Sequence, residues 1–445
     1  MSTTDELRQA ERAFDEPADA TPDQVKPLSA GGGNRLLSLD FTRGIAVMGI
    51  LAANIVAFGQ PFSAYMWPGG FLTPHGETSD WLWVAQFILV DGKMRGLFTL
   101  LFGAGMFLFL EKAWDRGQGR GLQARRLFWL LLFGLAHGLF IWRGDILSLY
   151  ALCGFICLAF VKWRPGTQLG IGLTVYLFGH LFYTGLFGWI FAAMSAGEQP
   201  GEPPEAAQMR EGFSQMKTYT VDDSAVESAM ISGGDYGGWV SHNLSEHAFD
   251  PLIAVLQSSV ETIPLILIGM ALYRWGLFDG RISAKKQALW GTLGVLLGLA
   301  GSAAIALWTY AQGLDFYSTI FAFIGISGFA RLPFLLGLAA LLALWGPKAT
   351  GWLGSRVSAA GRMAFSNYLG TSILMLFVFH GWALGLFGEL TRPQLYGVMA
   401  VTWVLILLWS KPWLSVFRFG PLEWLWRCLT YGKLFAIRRE PSEAP

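Results

Sequence analysis

From residue 37 onward the chain alternates long apolar runs with short polar stretches. The runs cover 37–59, 79–111, 127–142, 145–161, 167–194, 251–273, 287–311, 317–346, 363–388 and 394–410. A helix needs about 20 apolar residues to cross the hydrocarbon core of a bilayer. Each run therefore predicts a membrane-crossing helix, with 127–142, 145–161 and 394–410 on the short side. The expected fold is an all-α polytopic membrane protein, a bundle of about ten transmembrane helices. Residues 35–194 would form the N-terminal membrane half (spans 1–5) and 251–410 the C-terminal half (spans 6–10). One larger extracytoplasmic loop, 195–250, lies between them, and 411–445 reads as a cytoplasmic interfacial segment and tail. Residues 1–34 carry seven acids between Asp5 and Asp23, with Pro17, Pro22 and Pro27. That stretch predicts a disordered cytoplasmic tail rather than a signal peptide.

Loop charge orients the bundle. With the N-terminus in the cytoplasm and the spans alternating, 24 of the 32 basic residues fall in cytoplasmic loops and tails. The exterior loops hold only Arg143, Arg210, Lys217 and Arg392. This satisfies the positive-inside rule at every loop, favours the even count of ten, and puts both termini in the cytoplasm. The expected location is the bacterial cytoplasmic (inner) membrane. Composition agrees: 14% of residues are charged and 53% hydrophobic, against about 25% charged in soluble domains. A net charge of +1 excludes the basic surplus of a nucleic-acid binder. The three cysteines make no disulfide framework.

The remaining four basic residues, Arg43, Lys93, Arg95 and Arg331, lie inside expected spans, as do Asp40, Asp91 and Glu261. An ionisable group at bilayer depth is expensive and marks a functional candidate. In "ILVDGKMRGLFTLLFGAG", Ile88 to Gly105, one long helix would put Asp91 and Arg95 on a shared face, able to pair. Lys93 would need another partner. Two readings stay open: an ion network locking the bundle, or a slightly cationic site for an anionic ligand such as a phosphorylated cofactor.

Histidines supply further candidates. His137 lies close to Asp145 across the turn "WRGD", as a structural cap network or as a polar group lining an exterior pocket. His180 and His380 read as bundle-facing hydrogen-bonders. His242 and His247 flank Glu246, but a five-residue gap does not put both rings on one helical face, so no metal site is expected. The 195–250 segment carries nine acids between Glu198 and Glu246 against two basic residues. It predicts short helices at 203–217 and 222–231 and a Gly-rich turn at 233–238, as a lid or a solvated loop. "FGPLEWLWRCLTYGK" predicts a helix lying on the cytoplasmic surface.

Five blocks carry a resemblance: "RLLSLDFTRGIAVMGILAANI", "SDWLWVAQFILVDGKMRGLFTLLFGAGM", "AHGLFIWRGDILSLYALCG", "GRMAFSNYLGTSIL" and "FGPLEWLWRCLTYG". Together they resemble the YeiB-like family of bacterial inner-membrane proteins, from about residue 35 to about residue 435. The chain is more distantly similar to transmembrane acyltransferases such as heparan-alpha-glucosaminide N-acetyltransferase. Those enzymes move an acyl group from cytoplasmic acyl-CoA to a sugar on the far side. The resemblance implies an acyl-CoA cofactor. It implies a catalytic base at His75, oriented by Glu77 or Asp80, and an amide at Asn54 polarising the acyl carbonyl. It implies phosphate contacts near Arg43, Lys93, Arg95, Arg331 or the loop arginines. The partners would then be the lipid bilayer, acyl-CoA and an extracytoplasmic sugar, lipid or envelope acceptor, with homo-oligomerisation left open. The residues alone also admit a transporter or flippase for an anionic metabolite or lipid, and an assembly protein whose charges are structural.

Overall fold

In hydrocarbon every backbone N–H and C=O must be satisfied within its own segment. The continuously apolar stretches accordingly form helix. A computed structural model describes residues 36–74, 76–200 and 202–439; the tail expected at 1–34 and the candidate His75 lie outside the described residues. Among the described residues there is no β-strand, and an isolated bridge joins Phe417 to Arg438. In the first half the helices are α1 (Leu37–Gly59), α2 (Glu77–Leu89), α3 (Lys93–Trp114), α4 (Arg120–Phe140), α5 (Leu147–Cys157) and α6 (Pro165–Ala196). Then come α7 (Pro204–Gly233) and α8 (Tyr236–Glu246). The second half holds α9 (Asp250–Arg274), α10 (Ala284–Ala311), α11 (Phe316–Ile320), α12 (Ser327–Trp345), α13 (Trp352–Arg362), α14 (Ala364–Phe379), α15 (Arg392–Val416) and α16 (Pro421–Tyr431). A π-helical stretch, Phe321–Ile326, joins α11 to α12.

All ten apolar runs fall on helices, but not all ten helices have the length and apolarity to cross a bilayer. Seven spans do: α1, the α2–α3 pair, α6, α9, α10, the α11–α12 stretch and α15. Counting α13 and α14 together, which meet at 86°, makes eight. The two others fall short for different reasons. The first turns of α4 are occupied by Arg120, Arg125 and Arg126. The apolar helix Leu147–Phe160 reaches only ~21 Å at 1.5 Å per residue, against a core of about 30 Å.

Glycines set the closest helix crossings. A Cβ on Gly103 of α3 would stand 2.1 Å from the carbonyl oxygen of Ile266, and one on Gly269 of α9 would stand 2.0 Å from that of Leu100. The two backbones therefore touch, the approach that small residues permit between membrane helices. The main apolar cluster gathers around this crossing, with Leu97, Leu100, Ala104, Leu265, Ile266 and Leu335 fully buried.

The 195–250 segment is more ordered than expected. Instead of two short helices, 204–233 is a single helix ending at Gly234, φ +75°. The Gly-rich turn shrinks because Asp235 accepts a hydrogen bond from the Gly238 amide at 2.8 Å and caps α8. At the opposite end of the bundle, Glu423 of α16 accepts hydrogen bonds from the Phe365 and Ser366 amides at 2.8 and 3.1 Å and from the Ser366 hydroxyl. This carboxylate satisfies open amides at the α14 N-terminus, and burial pushes its pKa up.

Valine at Gly103 or Gly269 should lower unfolding stability by at least about 1–3 kcal/mol, because the backbones cannot part without opening the core. Valine at Gly170, which meets nothing within 4 Å, is the control. Thermal unfolding in detergent checks the difference.

Candidate functional site

The charged patch at 91–95 is a helix break. Gly92 sits at φ +68°, ending α2 and starting α3 inside one 38-residue apolar stretch, Glu77–Trp114. Because the helix is interrupted, the four-residue spacing of Asp91 and Arg95 no longer puts them on one face, and the expected pair does not form. Asp91 accepts instead from the Gln86 amide at 2.9 Å. Gln86 in turn accepts from Arg392 at 3.3 Å and from the Tyr396 hydroxyl. Lys93 is almost fully buried. Its ammonium donates to the Phe87 carbonyl at 2.7 Å, a cation at the C-terminal end of α2 where the helix dipole favours it. The rings of Phe87 and Phe334 enclose it.

Arg95 reaches across to α9 and pairs with Glu261 at 2.8 Å. Arg331 meets the same carboxylate at 3.3 Å. His180 donates from Nδ1 to the Tyr176 carbonyl at 2.9 Å, which leaves Nε2 to accept from Arg331 at 3.3 Å. Of the four cations expected at one anion site, Lys93, Arg95 and Arg331 thus belong to buried networks among α2, α3, α6, α9 and α12. The Arg95 side chain, although paired, is 28% exposed, as is that of Arg43, and Arg43 lines a cavity.

That cavity has a volume of about 310 Å³ and opens between α1, α3, α4, α14 and α16. On α3 its wall runs from Phe98 to Lys112, ~21 Å at 1.5 Å per residue. One end carries Arg43, Lys112, Arg126, Arg362 and Arg427 against Asp40 and Glu423. Asp40 lies 3.7 Å from Arg43. Arg126 stacks on Phe109 and Trp426, with ring centres 4.6 and 4.3 Å from its guanidinium carbon. The other end is apolar and closes on Ile146, Leu147, Tyr150 and Tyr368. The Tyr150 hydroxyl donates to the Arg95 carbonyl at 3.1 Å and accepts from Thr99 at 2.9 Å, tying this wall to the ion network.

Immediately behind the apolar end stands His137, its ring centre 5.2 Å from that of Tyr368. Asp145 caps α5, accepting from the Leu147 amide at 3.1 Å, the Ser148 amide at 2.8 Å and the Ser148 hydroxyl at 2.7 Å. With those donors fixed, its remaining contact, 2.9 Å from His137 Nδ1, is an acceptor contact, and the ring proton sits on Nδ1. With Nδ1 turned to Asp145, His137 Nε2 is buried with no hydrogen-bond partner among the described residues. A buried polar atom left unsatisfied is costly and calls for an explanation. A carboxylate that orients an imidazole and frees its other nitrogen is the arrangement of a general base. On its far side His137 faces Trp142, 6.3 Å between ring centres. Trp142 lines a second crevice, of about 30 Å³, with Phe58, Glu227, Trp239 and His380. The dyad occupies the partition between the two spaces.

Asn54 is half-buried on α1, one turn before Phe58, whose ring stacks on Trp142 at 4.2 Å. Asp80 is half-buried in the first turn of α2. Neither lines the cavity or the crevice. Arg126 and Arg362 belong to the loop arginines that the resemblance offers for phosphate contacts, whereas Lys112, Arg427 and Tyr368 are not among the candidate site residues read from the sequence, although Tyr368 stands in the block "GRMAFSNYLGTSIL".

Beside the second crevice α7, α8 and the start of α9 bring charges together. Arg143 pairs with Asp223 at 3.2 Å, Glu227 at 2.9 Å and Asp250 at 3.5 Å. His242 and His247, five residues apart, meet with ring centres 5.1 Å apart, because α8 ends at Glu246 and the backbone turns at His247. Burial opposes charge on His247, but hydrogen bonds to Asp223 and Asp250 outweigh it and hold the imidazole up to about 9. Burial likewise opposes ionisation of Asp223, and contacts with His247 and Arg143 hold its carboxyl below the usual range.

Fold and polar groups together define an all-α multi-pass membrane protein with paired charges at bilayer depth. Residues 272–433 match a family described as "Protein of unknown function (DUF418)". The chain is 32% identical over 406 residues to "Uncharacterized protein YeiB" of Escherichia coli (strain K12), covering 89% of this chain and 96% of the relative. It is 28% identical over 413 residues to "Uncharacterized protein YxaH" of Bacillus subtilis (strain 168), covering 89% and 94%. It is 28% identical over 411 residues to "Uncharacterized 39.9 kDa protein in amylase 3'region" of Bacillus acidopullulyticus, covering 91% and 96%. The chain belongs to the YeiB-like family. No solved structure matches it.

Glu261→Gln leaves two guanidinium groups facing each other without their shared carboxylate. It should cost about 3–5 kcal/mol of unfolding stability, measured by thermal unfolding in detergent. Glu246→Gln, at an exposed carboxylate of α8, should leave the midpoint unchanged.

Proposed function

We propose that this protein is a transmembrane acyltransferase of the bacterial cytoplasmic membrane, with both termini in the cytoplasm. It takes an acyl group from cytoplasmic acyl-CoA and delivers it to a hydroxyl or amine of an extracytoplasmic sugar, lipid or envelope component. One observation carries the reading: a cavity with a basic mouth and an apolar inner end, backed by a buried His–Asp dyad whose Nε2 has no partner among the described residues.

In this reading Lys112, Arg126, Arg362, Arg427 and Arg43 receive the cofactor phosphates, which guanidinium groups recognise well. The thin pantetheine arm follows α3, and the thioester reaches the Tyr368 wall. The acceptor enters from the crevice beside Trp142. His137 Nε2 takes the proton of its O–H or N–H as the acceptor oxygen or nitrogen bonds to the acyl carbon. The carbon–sulfur bond breaks, and the proton passes from the imidazolium to the departing CoA thiolate. Asp145 holds the tautomer and stabilises the imidazolium. Movement of the Tyr368 or Trp142 ring is needed to bring the two reactants together. The transport alternative needs buried cations facing a pathway; Lys93 and Arg331 are instead enclosed in protein contacts, and Arg95, 28% exposed, is paired with Glu261.

Release of CoA thiol from acetyl-CoA in proteoliposomes, with amino sugars and glycerolipids as acceptors, tests the assignment. His137→Ala should reduce the rate by about 10²–10⁴-fold, the worth of a general base, while His75→Ala keeps most of it. The reverse pattern would move the base to His75. Absence of thiol release by the unaltered protein with every acceptor would contradict the acyltransferase reading.

A further inference from the structure

Three side chains from two helices and the turn that follows them converge at the end of the bundle that carries α7 and α8. They are Asp223 from α7, His242 from α8, and His247 at the turn that follows α8. One potential ligand atom from each lies within 4.8 Å of the other two. Asp223 Oδ1 is 3.2 Å from Nε2 of His242 and 3.2 Å from Nε2 of His247. Ligand atoms bound tetrahedrally to zinc at 2.0–2.1 Å stand about 3.3 Å from one another. The two edges through Asp223 thus already have the length that a zinc ion would impose.

The surroundings complete the pattern. Asp250 Oδ2 lies 3.2 Å from His247 Nδ1, the outer carboxylate that orients a metal-binding imidazole and frees its Nε2. Arg143 approaches the same Nδ1 at 3.0 Å but is matched by Asp223 Oδ2 and Glu227. It therefore leaves Oδ1 turned to the imidazoles. Three carboxylates, Asp223, Glu227 and Asp250, face one guanidinium, so the cluster attracts a dication, which takes the place of the proton that His247 Nε2 otherwise shares with Asp223. The side chains of Asp223 and His242 are 13% and 14% exposed, enough to leave a fourth position to water.

We infer that Asp223, His242 and His247 form a binding site for a zinc-type divalent cation. The ion ties α7 to α8 and to the segment entering α9, beside the crevice that Glu227 and Trp239 line. Sequence spacing points away from a metal, because a five-residue gap does not align two rings on a continuous helix and Asp223 lies 19 positions upstream of the nearer histidine. This site is independent of the reaction proposed above.

The test uses the full chain, purified without a histidine tag, stripped with a chelator, and dialysed against zinc chloride or magnesium chloride. Elemental analysis should find one zinc per chain and no retained magnesium, with a rise in the thermal midpoint on zinc addition. His242→Ala with His247→Ala, and Asp223→Asn alone, should lose that zinc and that rise. Asp250→Asn should keep the site with affinity about 10–100-fold weaker. If the variants are unstable, cobalt on the unaltered protein decides: visible absorption of a four-coordinate ion supports the site. Retention of zinc by the double histidine variant, no zinc on the unaltered protein, or a cobalt spectrum matching free aqueous cobalt would overturn it.

Discussion

A formal charge at bilayer depth must meet an opposite charge or a helix end, and much of this molecule is arranged around that requirement. Glu261 is the centre. Arg95 from α3 and Arg331 from α12 both reach it, and His180 from α6 closes on Arg331. Four helices distant in sequence are thereby pinned at one level. Lys93, with Asp91 nearby, also uses the other solution. The break at Gly92 exposes a helix C-terminus, and the ammonium settles on its Phe87 carbonyl. Removing a partner from such a network strands a buried charge, which is why the network constrains the fold more than it adds to its stability.

Because those charges are spent on one another, the charges that face space stand out. Arg43, Lys112, Arg126, Arg362 and Arg427 surround one mouth of the 310 Å³ cavity, and their excess over Asp40 and Glu423 favours an anion. The inner end holds rings and aliphatic side chains. Between this end and the opposite crevice stands the His137 imidazole, fixed by Asp145 and without a partner at Nε2 among the described residues. A base in a dry partition, with an anion-attracting entrance on one side and a separate opening on the other, is the arrangement that the proposed group transfer across a membrane requires. His180, by contrast, is engaged at both ring nitrogens, whereas His380 in the crevice also buries a ring nitrogen, Nδ1, with no partner among the described residues.

The helices were legible in the sequence because hydropathy is a property of each segment alone. All ten apolar runs lie on helices, and the loop charges group at the ends of the bundle. What periodicity missed depends on local breaks and on distant partners. The spacing of Asp91 and Arg95 presumes one helix, which the positive φ of Gly92 denies. The 86° bend between α13 and α14 follows from packing against α1, where a Cβ on Gly361 would collide with the Asp40 carbonyl at 1.8 Å. His137 and Asp145 were legible as neighbours across "WRGD", but the freedom of Nε2 depends on Asp145 being filled by the α5 amides. The Tyr368 wall meets Ile146 across 222 residues of chain, a contact no local pattern encodes.

The most direct measurement of the proposed acyl-CoA cavity is calorimetric titration of the purified protein with CoA. One molecule should bind per chain, and the Arg126→Ala, Arg427→Ala double variant should weaken binding at least about tenfold, ~1.4 kcal/mol. Pantetheine, which lacks the nucleotide phosphates, should bind far less tightly than CoA. Absence of CoA binding, or an affinity indifferent to both the arginines and the phosphates, would contradict the assignment of this cavity.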